Sequence, residues 1–197
     1  MPLLSDFPAL PGFYQLLFLH IEPISTVMPA VMAWWQPGAA WFHHELIPDG
    51  TSPAASLDAR TTMAIWQLGN CYLLLGLIST FVFRAVRDTL PNNPTAQERI
   101  LGASFTALAL ADVTHVLWSF VGLPADLKYS FSSWNSMTHG NITFTTFLCA
   151  MRIAWFLGIG RKRYYYGQLI NDQRERRSVG RKNDYILYPK NEQRERR

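Results

Sequence analysis

An apolar run of membrane length, from Arg99 to Gly122, constrains the fold of this chain more than any other feature. A helix needs about 20 apolar residues to cross the hydrocarbon of a bilayer, and this run has that length. Asp112 and His115 lie near its middle. A carboxylate at that depth costs roughly 2.5–3.5 kcal/mol on insertion scales, so it should face a partner inside a helix bundle. The run therefore predicts a transmembrane helix with a polar inner face.

Three further apolar runs predict that the rest of the chain belongs to the same fold class. The four predicted spans are residues 13–35, 61–83, 100–122 and 141–160. In the first span Pro23 follows Glu22, and it predicts a kink because proline leaves a backbone carbonyl without its partner. The sequence therefore predicts an all-α, integral membrane four-helix bundle, in which residues 1–160 form one transmembrane domain.

The basic residues are concentrated in a tail at residues 161–197, which holds 12 of the 18 Lys and Arg. Within it the segment NDQRERR at 171–177 recurs as NEQRERR at 191–197. Such a charged segment cannot bury enough apolar surface to fold, so we predict a disordered cytosolic tail. The remainder of the chain has few basic side chains and many aromatic ones, and nucleic acid is not an expected partner.

Basic residues at the ends of the spans predict the orientation of the chain. Arg84, Arg87 and Arg99 flank the second loop, and the tail begins with three basic residues at 161–163. The loops on the other side hold one basic residue each. Cytosolic segments carry the excess of Lys and Arg. Both termini are therefore expected to be cytosolic, with the protein in the endoplasmic reticulum membrane.

Each predicted span carries a polar group near mid-depth: Glu22, Asn70, Asp112 and Arg152 in chain order. We expect Asp112 to pair with Arg152, because an unpaired arginine in hydrocarbon costs several kcal/mol. Two acids facing one base favour a state in which one acid keeps its proton. On this interpretation Glu22 lacks the cation and becomes the proton donor, so that the two acids form a general acid–base pair in a dry cavity.

Other polar and aromatic residues are expected to complete this cavity. His115 follows Asp112 by three positions, which places both side chains on one helix face and gives His115 a supporting catalytic role. Ser119 lies close to the same line. The residues expected to bind substrate are on the second span, at the end of the third, and on the loop after it: Gln67, Asn70, Trp118, Trp134 and Asn135.

Two other interpretations of the charged residues remain open. The ion pair can serve only to fix the register of the helices, as buried polar groups do in other bundles. A metal site from Asp112, His115, Glu22 and His20 has suitable ligand types, but the chain lacks a dense ligand motif such as His-Glu-x-x-His. We expect no metal. Because the chain also lacks a phosphate loop and a dinucleotide fingerprint, we expect no cofactor.

The ordered motifs FLHIEP, QLGN, ALADVTH, WN and CAMRIAWFLGIG resemble those of small four-span membrane proteins of filamentous fungi, some of them from natural-product gene clusters. The resemblance covers about residues 11–160. It implies a membrane enzyme of secondary metabolism that opens epoxides on an apolar polyene, polyketide or terpenoid intermediate, giving diols or cyclic ethers. More distantly the chain is similar to the emopamil-binding, sterol-isomerase (EXPERA) membrane fold, which implies an apolar ligand and acid chemistry.

Epoxide opening also fits the chemistry of the residues. An acid protonates the departing oxygen while a carboxylate orients water or an internal hydroxyl for attack. One alternative is an isomerase or cyclase that protonates an alkene, with Trp118 and Trp134 stabilising the cation. Another is a sterol- or lipid-binding membrane protein without catalytic activity. The expected partners are an apolar small-molecule substrate and membrane lipid, and a membrane-associated monooxygenase of the same pathway is a further candidate.

Overall fold

The computed structural model describes residues 7–168, and the regular elements in this part of the chain are all helical. The described helices of more than one turn are α1 (Phe13–Trp34), α2 (Ala39–Glu45), α3 (Ala59–Thr89), α4 (Pro94–Gly122) and α5 (Ser136–Leu157). A short 3₁₀ turn, Phe131–Ser133, precedes α5. Helices α1, α3, α4 and α5 are each long and apolar enough to cross a membrane. The prediction of an all-helical chain with four such helices is confirmed.

Polar capping residues make three of these helices start earlier than the apolar runs. Asp58, Asn93 and Asn135 precede α3, α4 and α5, and the side chain of each accepts a hydrogen bond from a backbone N–H of the first turn. Such caps satisfy donors that have no partner within the helix. The predicted starts at 61, 100 and 141 are therefore late, because hydropathy does not register a polar first turn.

The long helices run alternately up and down, so their ends form two distinct layers. The long-loop end contains residues 35–58, which include α2, and residues 123–135. The short-loop end contains residues 7–12, the turn at 90–93 and residues 158–168. Residues 161–168, the first part of the predicted tail, pack at this end. The rest of it, residues 169–197, lies outside the described residues.

An aromatic core joins all four long helices near the short-loop end. The ring of Phe105 on α4 contacts Phe18 on α1, Phe83 on α3 and Trp155 on α5, with centroid distances of 4.5, 5.6 and 4.9 Å. All four side chains are fully buried. Because such ring contacts add to the free energy of apolar burial, this core fixes the level at which the helices meet.

Helix α1 changes its winding just before its charged residue. Residues Leu17–Ile21 form a π-helical segment, and Glu22 and Pro23 follow it directly. The wider turn accommodates a proline that has no N–H to donate, and π-helical turns occur frequently at functional sites. The predicted irregularity at Pro23 is therefore present as a local change in winding. It lies next to Glu22, whose side chain is buried.

The outward faces of the long helices are apolar. Ile24, Phe81, Leu110 and Leu157, one from each helix, are all more than 60% exposed. The ionisable groups in the middle of the helices lie on the opposite, inward faces. A soluble monomer seldom exposes apolar area on this scale. The arrangement is polar inside and apolar outside.

Candidate functional site

Three ionisable side chains from three helices meet inside the bundle, and we call them the charge cluster. Arg152 on α5 donates from Nη2 to Oε1 of Glu22 on α1 and from Nη1 to Oδ2 of Asp112 on α4. Arg152 is 1% exposed, Glu22 4% and Asp112 9%. The predicted pairing of Asp112 with Arg152 is confirmed. The helices are thus tied together by charge at one level.

The sequence interpretation of Glu22 needs correction, because this residue also contacts the cation. The guanidinium of Arg152 presents several N–H donors in a planar fork, so it can bind two carboxylates on different edges. Glu22 is therefore not the acid that lacks the cation, and that reason for making it the proton donor is wrong. The stoichiometry of two acids to one base remains, and it favours one proton held within the cluster.

The surroundings of the charge cluster are aromatic on one side and only partly satisfy its polar atoms. The ring of Phe18 lies 5.3 Å from Cζ of Arg152, and the aromatic core continues on that side. Within residues 7–168, Oε2 of Glu22 and Nε of Arg152 are buried and have no hydrogen-bond partner. In a medium of low dielectric constant such atoms interact strongly with any polar group that reaches them. Within residues 7–168 the cluster thus retains one acceptor, Glu22 Oε2, and one donor, Arg152 Nε, that no side chain uses.

The residues expected on α3 do not join the cluster. Gln67 and Asn70 are both exposed, so Asn70 does not share the buried face of the charged groups as the sequence suggested. The reason is that α3 turns its glycines toward α1. A Cβ added at Gly69 would lie 2.9 Å from the Trp34 indole, and one at Gly76 would lie 2.6 Å from Val27. This close packing directs the neighbouring polar side chains outward.

A stripe on α4 leads from the charge cluster to a small cavity at the long-loop end. His115, half-buried, follows Asp112 by one turn, and Ser119 follows after one more. Ser119 lines a cavity of about 200 Å³ together with Trp118, Asn141 and other residues of α4, α5 and the segment after α2. Seven residues of helix separate Asp112 from Ser119, or about 10 Å along the axis. The cavity is therefore near the cluster without containing it.

Trp134 and Asn135 hold the long-loop end together, and neither lines that cavity. The Trp134 indole is buried and donates a hydrogen bond to the carbonyl of Leu127 at 2.8 Å. Asn135 caps α5, and its Nδ2 donates to the carbonyl and the carboxylate of Glu45 at 2.9 and 3.1 Å. These contacts connect α2 to the start of α5. Their geometry indicates a structural role for two residues expected to bind substrate.

A second buried ionic site, which the sequence did not predict, lies at the short-loop end: Glu98 and Arg161 form what we call the end ion pair. Arg161 Nη1 donates to Glu98 Oε1, and both side chains are fully buried. Glu98 Oε2 accepts from the backbone N–H groups of Tyr164 and Tyr166 at 2.9 and 3.0 Å. Burial lowers the pKa of the Arg161 guanidinium below its ordinary value, and the ion pair with Glu98 opposes that shift. Both carboxylate oxygens of Glu98 are thus used.

Neighbouring contacts reinforce the end ion pair. Cζ of Arg161 lies 3.8 Å from the centroid of the Trp155 ring, whose Nε1 donates to the carbonyl of Ala9 at 2.8 Å. The hydroxyl of Tyr166 would lie 2.1 Å from a Cβ added at Gly102, so only glycine allows this approach. In the sequence Glu98 and Arg161 look like ordinary charges flanking a span. No spacing signal connects two residues so far apart in the chain.

The described residues do not support a metal centre. Within residues 7–168, no group of three or more His, Cys, Asp or Glu side chains is placed to hold a metal ion. His20 and His115 therefore do not combine with the acids of the charge cluster into a ligand set. What the cluster offers chemically is a pair of carboxyl groups held by one guanidinium, which suits proton transfer.

Comparison with known proteins identifies a family. No curated protein and no solved structure matches the chain significantly. The model of a family described as "Domain of unknown function (DUF7704)" matches residues 7–162. That match includes the four long helices, the charge cluster and both members of the end ion pair. The chain therefore belongs to the DUF7704 family.

Proposed function

We propose that this protein is an integral membrane enzyme that opens epoxides on apolar substrates by general acid–base catalysis. The observation that carries the proposal is the charge cluster, in which two carboxyl groups from different helices share one buried guanidinium. Ionisable groups inside a membrane are costly and usually mark function. The resemblance to fungal epoxide-opening membrane proteins supports the same reaction class.

The shape and surface of the bundle support insertion into a bilayer. Four helices have the required length and composition, and their exposed faces are apolar. Trp35 and Tyr129, at the long-loop end, are 79% and 78% exposed, as aromatic residues at a membrane interface are. The basic residues Arg84, Arg87 and Arg99 lie toward the short-loop end. The excess of basic residues in cytosolic segments supports a cytosolic location for that end and for both termini. We propose the endoplasmic reticulum as the membrane.

The reaction uses the proton that the two acids share. One carboxylic acid protonates the epoxide oxygen as its C–O bond breaks, and the other, as a carboxylate, takes the proton of the attacking water or internal hydroxyl. Attack by water gives a diol, and attack by the internal hydroxyl gives a cyclic ether. The Asp112 side chain is 12% exposed against 6% for Glu22. Since it also begins the stripe toward the cavity, Asp112 is the acid that contacts the substrate oxygen.

The substrate enters from the membrane and from the long-loop end. A cavity of about 200 Å³ is smaller than the roughly 300–1,000 Å³ of sites that enclose a drug-sized ligand. It therefore holds one end of an extended apolar molecule, while the remainder lies against the apolar outer faces of α4 and α5. The epoxide must come from an earlier oxidation, so a membrane-associated monooxygenase is the partner expected upstream.

A second candidate reaction is isomerisation or cyclisation of an olefin by proton transfer. Trp118 favours it, because this side chain lines the cavity and is 68% exposed, so its ring face is available to a carbocation. The same acids would then protonate a carbon–carbon double bond instead of an epoxide oxygen. A protein that only binds sterol or lipid would return every substrate unchanged.

The test is a conversion assay with microsomes from yeast that express the chain. A panel of apolar mono-epoxides of polyenes and terpenoids, and the matching olefins, is incubated with wild type, Glu22→Gln, Asp112→Asn and the matched control Asp126→Asn, which alters an exposed acid. We expect diols or cyclic ethers from wild type and the control alone. Isomerised olefin as the sole product would support the second candidate. Recovery of all substrates unchanged contradicts both.

A further inference from the structure

A buried hydroxyl on α3 has no role in the fold as described. Ser79 is 1% exposed, and within residues 7–168 its Oγ has no hydrogen-bond partner. Other helix hydroxyls bond to a carbonyl of their own helix, as Ser25 does to Glu22 at 2.7 Å and Thr106 does to Gly102 at 2.8 Å. That back-bonding is the usual arrangement for serine and threonine in helices. The Ser79 hydroxyl is therefore free to bind a different group.

The packing of α3 against α1 places Ser79 at the level of Glu22. On one side, a Cβ at Gly76 would lie 2.8 Å from the hydroxyl of Thr26. On the other side, Phe83 and Phe18 both contact the ring of Phe105. The two helices are antiparallel, and Ser79 lies between Gly76 and Phe83 just as Glu22 lies between Thr26 and Phe18. Ser79 and Glu22 therefore lie at the same level of the α1–α3 interface.

Three polar atoms without a partner thus belong to one region: Oγ of Ser79, Oε2 of Glu22 and Nε of Arg152. Buried polar groups are costly when they lack a hydrogen bond, and bound water commonly satisfies several at once. A water molecule can accept from a hydroxyl or a guanidinium N–H and donate to a carboxylate. One water between these atoms would satisfy donors and acceptors together.

We propose that Ser79 and Glu22 hold one water molecule, and that this water is the nucleophile of hydrolytic epoxide opening. The water oxygen bonds to an epoxide carbon while the C–O bond to that carbon breaks. Glu22 takes a proton from the water, and the protonated Asp112 gives its proton to the departing oxygen, so epoxide and water become a vicinal diol. The next water returns the proton from Glu22 to Asp112. Ser79 is a positioning residue in this scheme.

The catalytic part of this inference rests on the proposed function, but the water site can be tested without substrate. The protein is purified in detergent, and the thermal unfolding midpoint is measured for wild type and Ser79→Ala. If the hydroxyl were merely unsatisfied, removing it would leave the midpoint unchanged or raise it. A hydroxyl that binds water predicts a fall of about 2–4 °C. A midpoint equal to or above that of wild type would overturn the site.

Two controls separate water binding from packing. Ser104→Ala removes a hydroxyl that bonds its own helix at Ile100, and it should change the midpoint less than Ser79→Ala does. In a Glu22→Leu background, or Glu22→Ala if that variant is not recovered, Ser79→Ala should no longer lower the midpoint, because the water has lost its acceptor. An equal fall in both backgrounds would show a packing effect and contradict the proposal.

With an epoxide that wild type converts, Ser79→Ala should shift product from diol toward cyclic ether, since only the diol needs the held water. An unchanged product ratio contradicts the nucleophile role. The two proposals fail separately. A stabilising water site in a protein that converts no epoxide contradicts the proposed function, and with it the nucleophile role, but leaves the water site standing. If wild type converts the epoxide and needs Glu22 to do so, but Ser79→Ala changes neither the midpoint nor the products, the water site alone is contradicted.

Discussion

The charge cluster and the end ion pair are both buried and both centred on arginine, yet they differ in how fully their polar atoms are used. At the end ion pair one acid faces one base, and both oxygens of Glu98 accept hydrogen bonds. In the charge cluster two acids face one base, and Glu22 Oε2 and Arg152 Nε lack partners within residues 7–168. We call the end ion pair closed, because both carboxylate oxygens are used, and the charge cluster open, because some of its polar atoms are free in this part of the chain.

The difference indicates different roles for the two sites. A carboxylate with no free oxygen has nothing to offer a ligand, and the contacts of Glu98 join α4 to the residues after α5. Arg161 Nη2 is also without a hydrogen bond in the described residues, but the Trp155 ring covers that guanidinium. A cluster with an excess acid and free polar atoms can exchange protons and bind oxygen atoms of a substrate. We therefore assign stability to the end ion pair and chemistry to the charge cluster.

The largest expected effect is on turnover after a change in the charge cluster. Glu22→Gln and Asp112→Asn should each lower turnover by about 10²- to 10⁴-fold, because they preserve shape and remove an acid or base. Thermal stability should fall little, since Arg152 keeps the other carboxylate. His115→Ala, which removes only a supporting group, should lose less. The measurement is product formation in microsomes, normalised to folded protein. Near wild-type turnover in both acid variants would mean that the cluster only holds the bundle together.

The opposite result is expected from Glu98→Gln at the end ion pair. It leaves the buried Arg161 without its only acid among the described residues, which typically costs about 3–5 kcal/mol of unfolding free energy. Turnover per folded molecule should stay within a few-fold of wild type. The unfolding midpoint in detergent and the recovery of monodisperse protein measure the loss. A midpoint equal to that of wild type would remove the structural role assigned to this pair.

A smaller loss of stability is expected from Gly102→Ala. The added methyl group would overlap the Tyr166 hydroxyl, and such overpacking typically costs about 1–3 kcal/mol. Gly140→Ala is the matched control, because a Cβ there meets nothing within 4 Å. Tyr166→Phe in the Gly102→Ala background should recover part of the fall in the unfolding midpoint. If the two glycine variants unfold at the same temperature, Tyr166 does not pack against α4 as described.

The smallest effect is expected from removing residues 169–197. Truncation after Gln168 should change the free energy of unfolding by less than about 0.5 kcal/mol, as a neutral surface change does, since the contacts of Tyr164 and Tyr166 remain. Truncation after Arg163 removes both backbone N–H donors to Glu98, those of Tyr164 and Tyr166, and should be clearly destabilising. Gel filtration and unfolding midpoints compare the two. Equal stability of the two truncated proteins would contradict the contribution of these donors.

The sequence predicts the helices and one ion pair well because both depend on hydropathy. A charge within an apolar run is conspicuous, and the need to neutralise it links Asp112 to Arg152 without knowledge of the fold. The second contact of Arg152, to Glu22, depends on which edges of a guanidinium face which helices. That contact depends on how the helices pack, which the local sequence pattern does not predict.

The remaining features escape prediction for identifiable physical reasons. Glu98 and Arg161 lie outside the apolar runs, where charges are ordinary, so their burial depends on how the chain folds back after α5. Asn70 is exposed because the glycines of α3 select the face that meets α1. Ser79 is inconspicuous because most helix hydroxyls bond their own backbone. In each case tertiary packing decides what local chemistry leaves open.

We propose that the charge cluster performs chemistry while the end ion pair maintains the fold. This proposal is tested most directly by one experiment on a matched pair, Glu22→Gln and Glu98→Gln, in which turnover of an epoxide substrate per folded molecule and the unfolding midpoint are measured on the same preparations. We expect Glu22→Gln to lower turnover while the unfolding midpoint stays nearly unchanged. We expect Glu98→Gln to lower the unfolding midpoint while turnover per folded molecule stays nearly unchanged. If Glu22→Gln instead lowers the midpoint and leaves turnover intact, the charge cluster is structural and the account is contradicted.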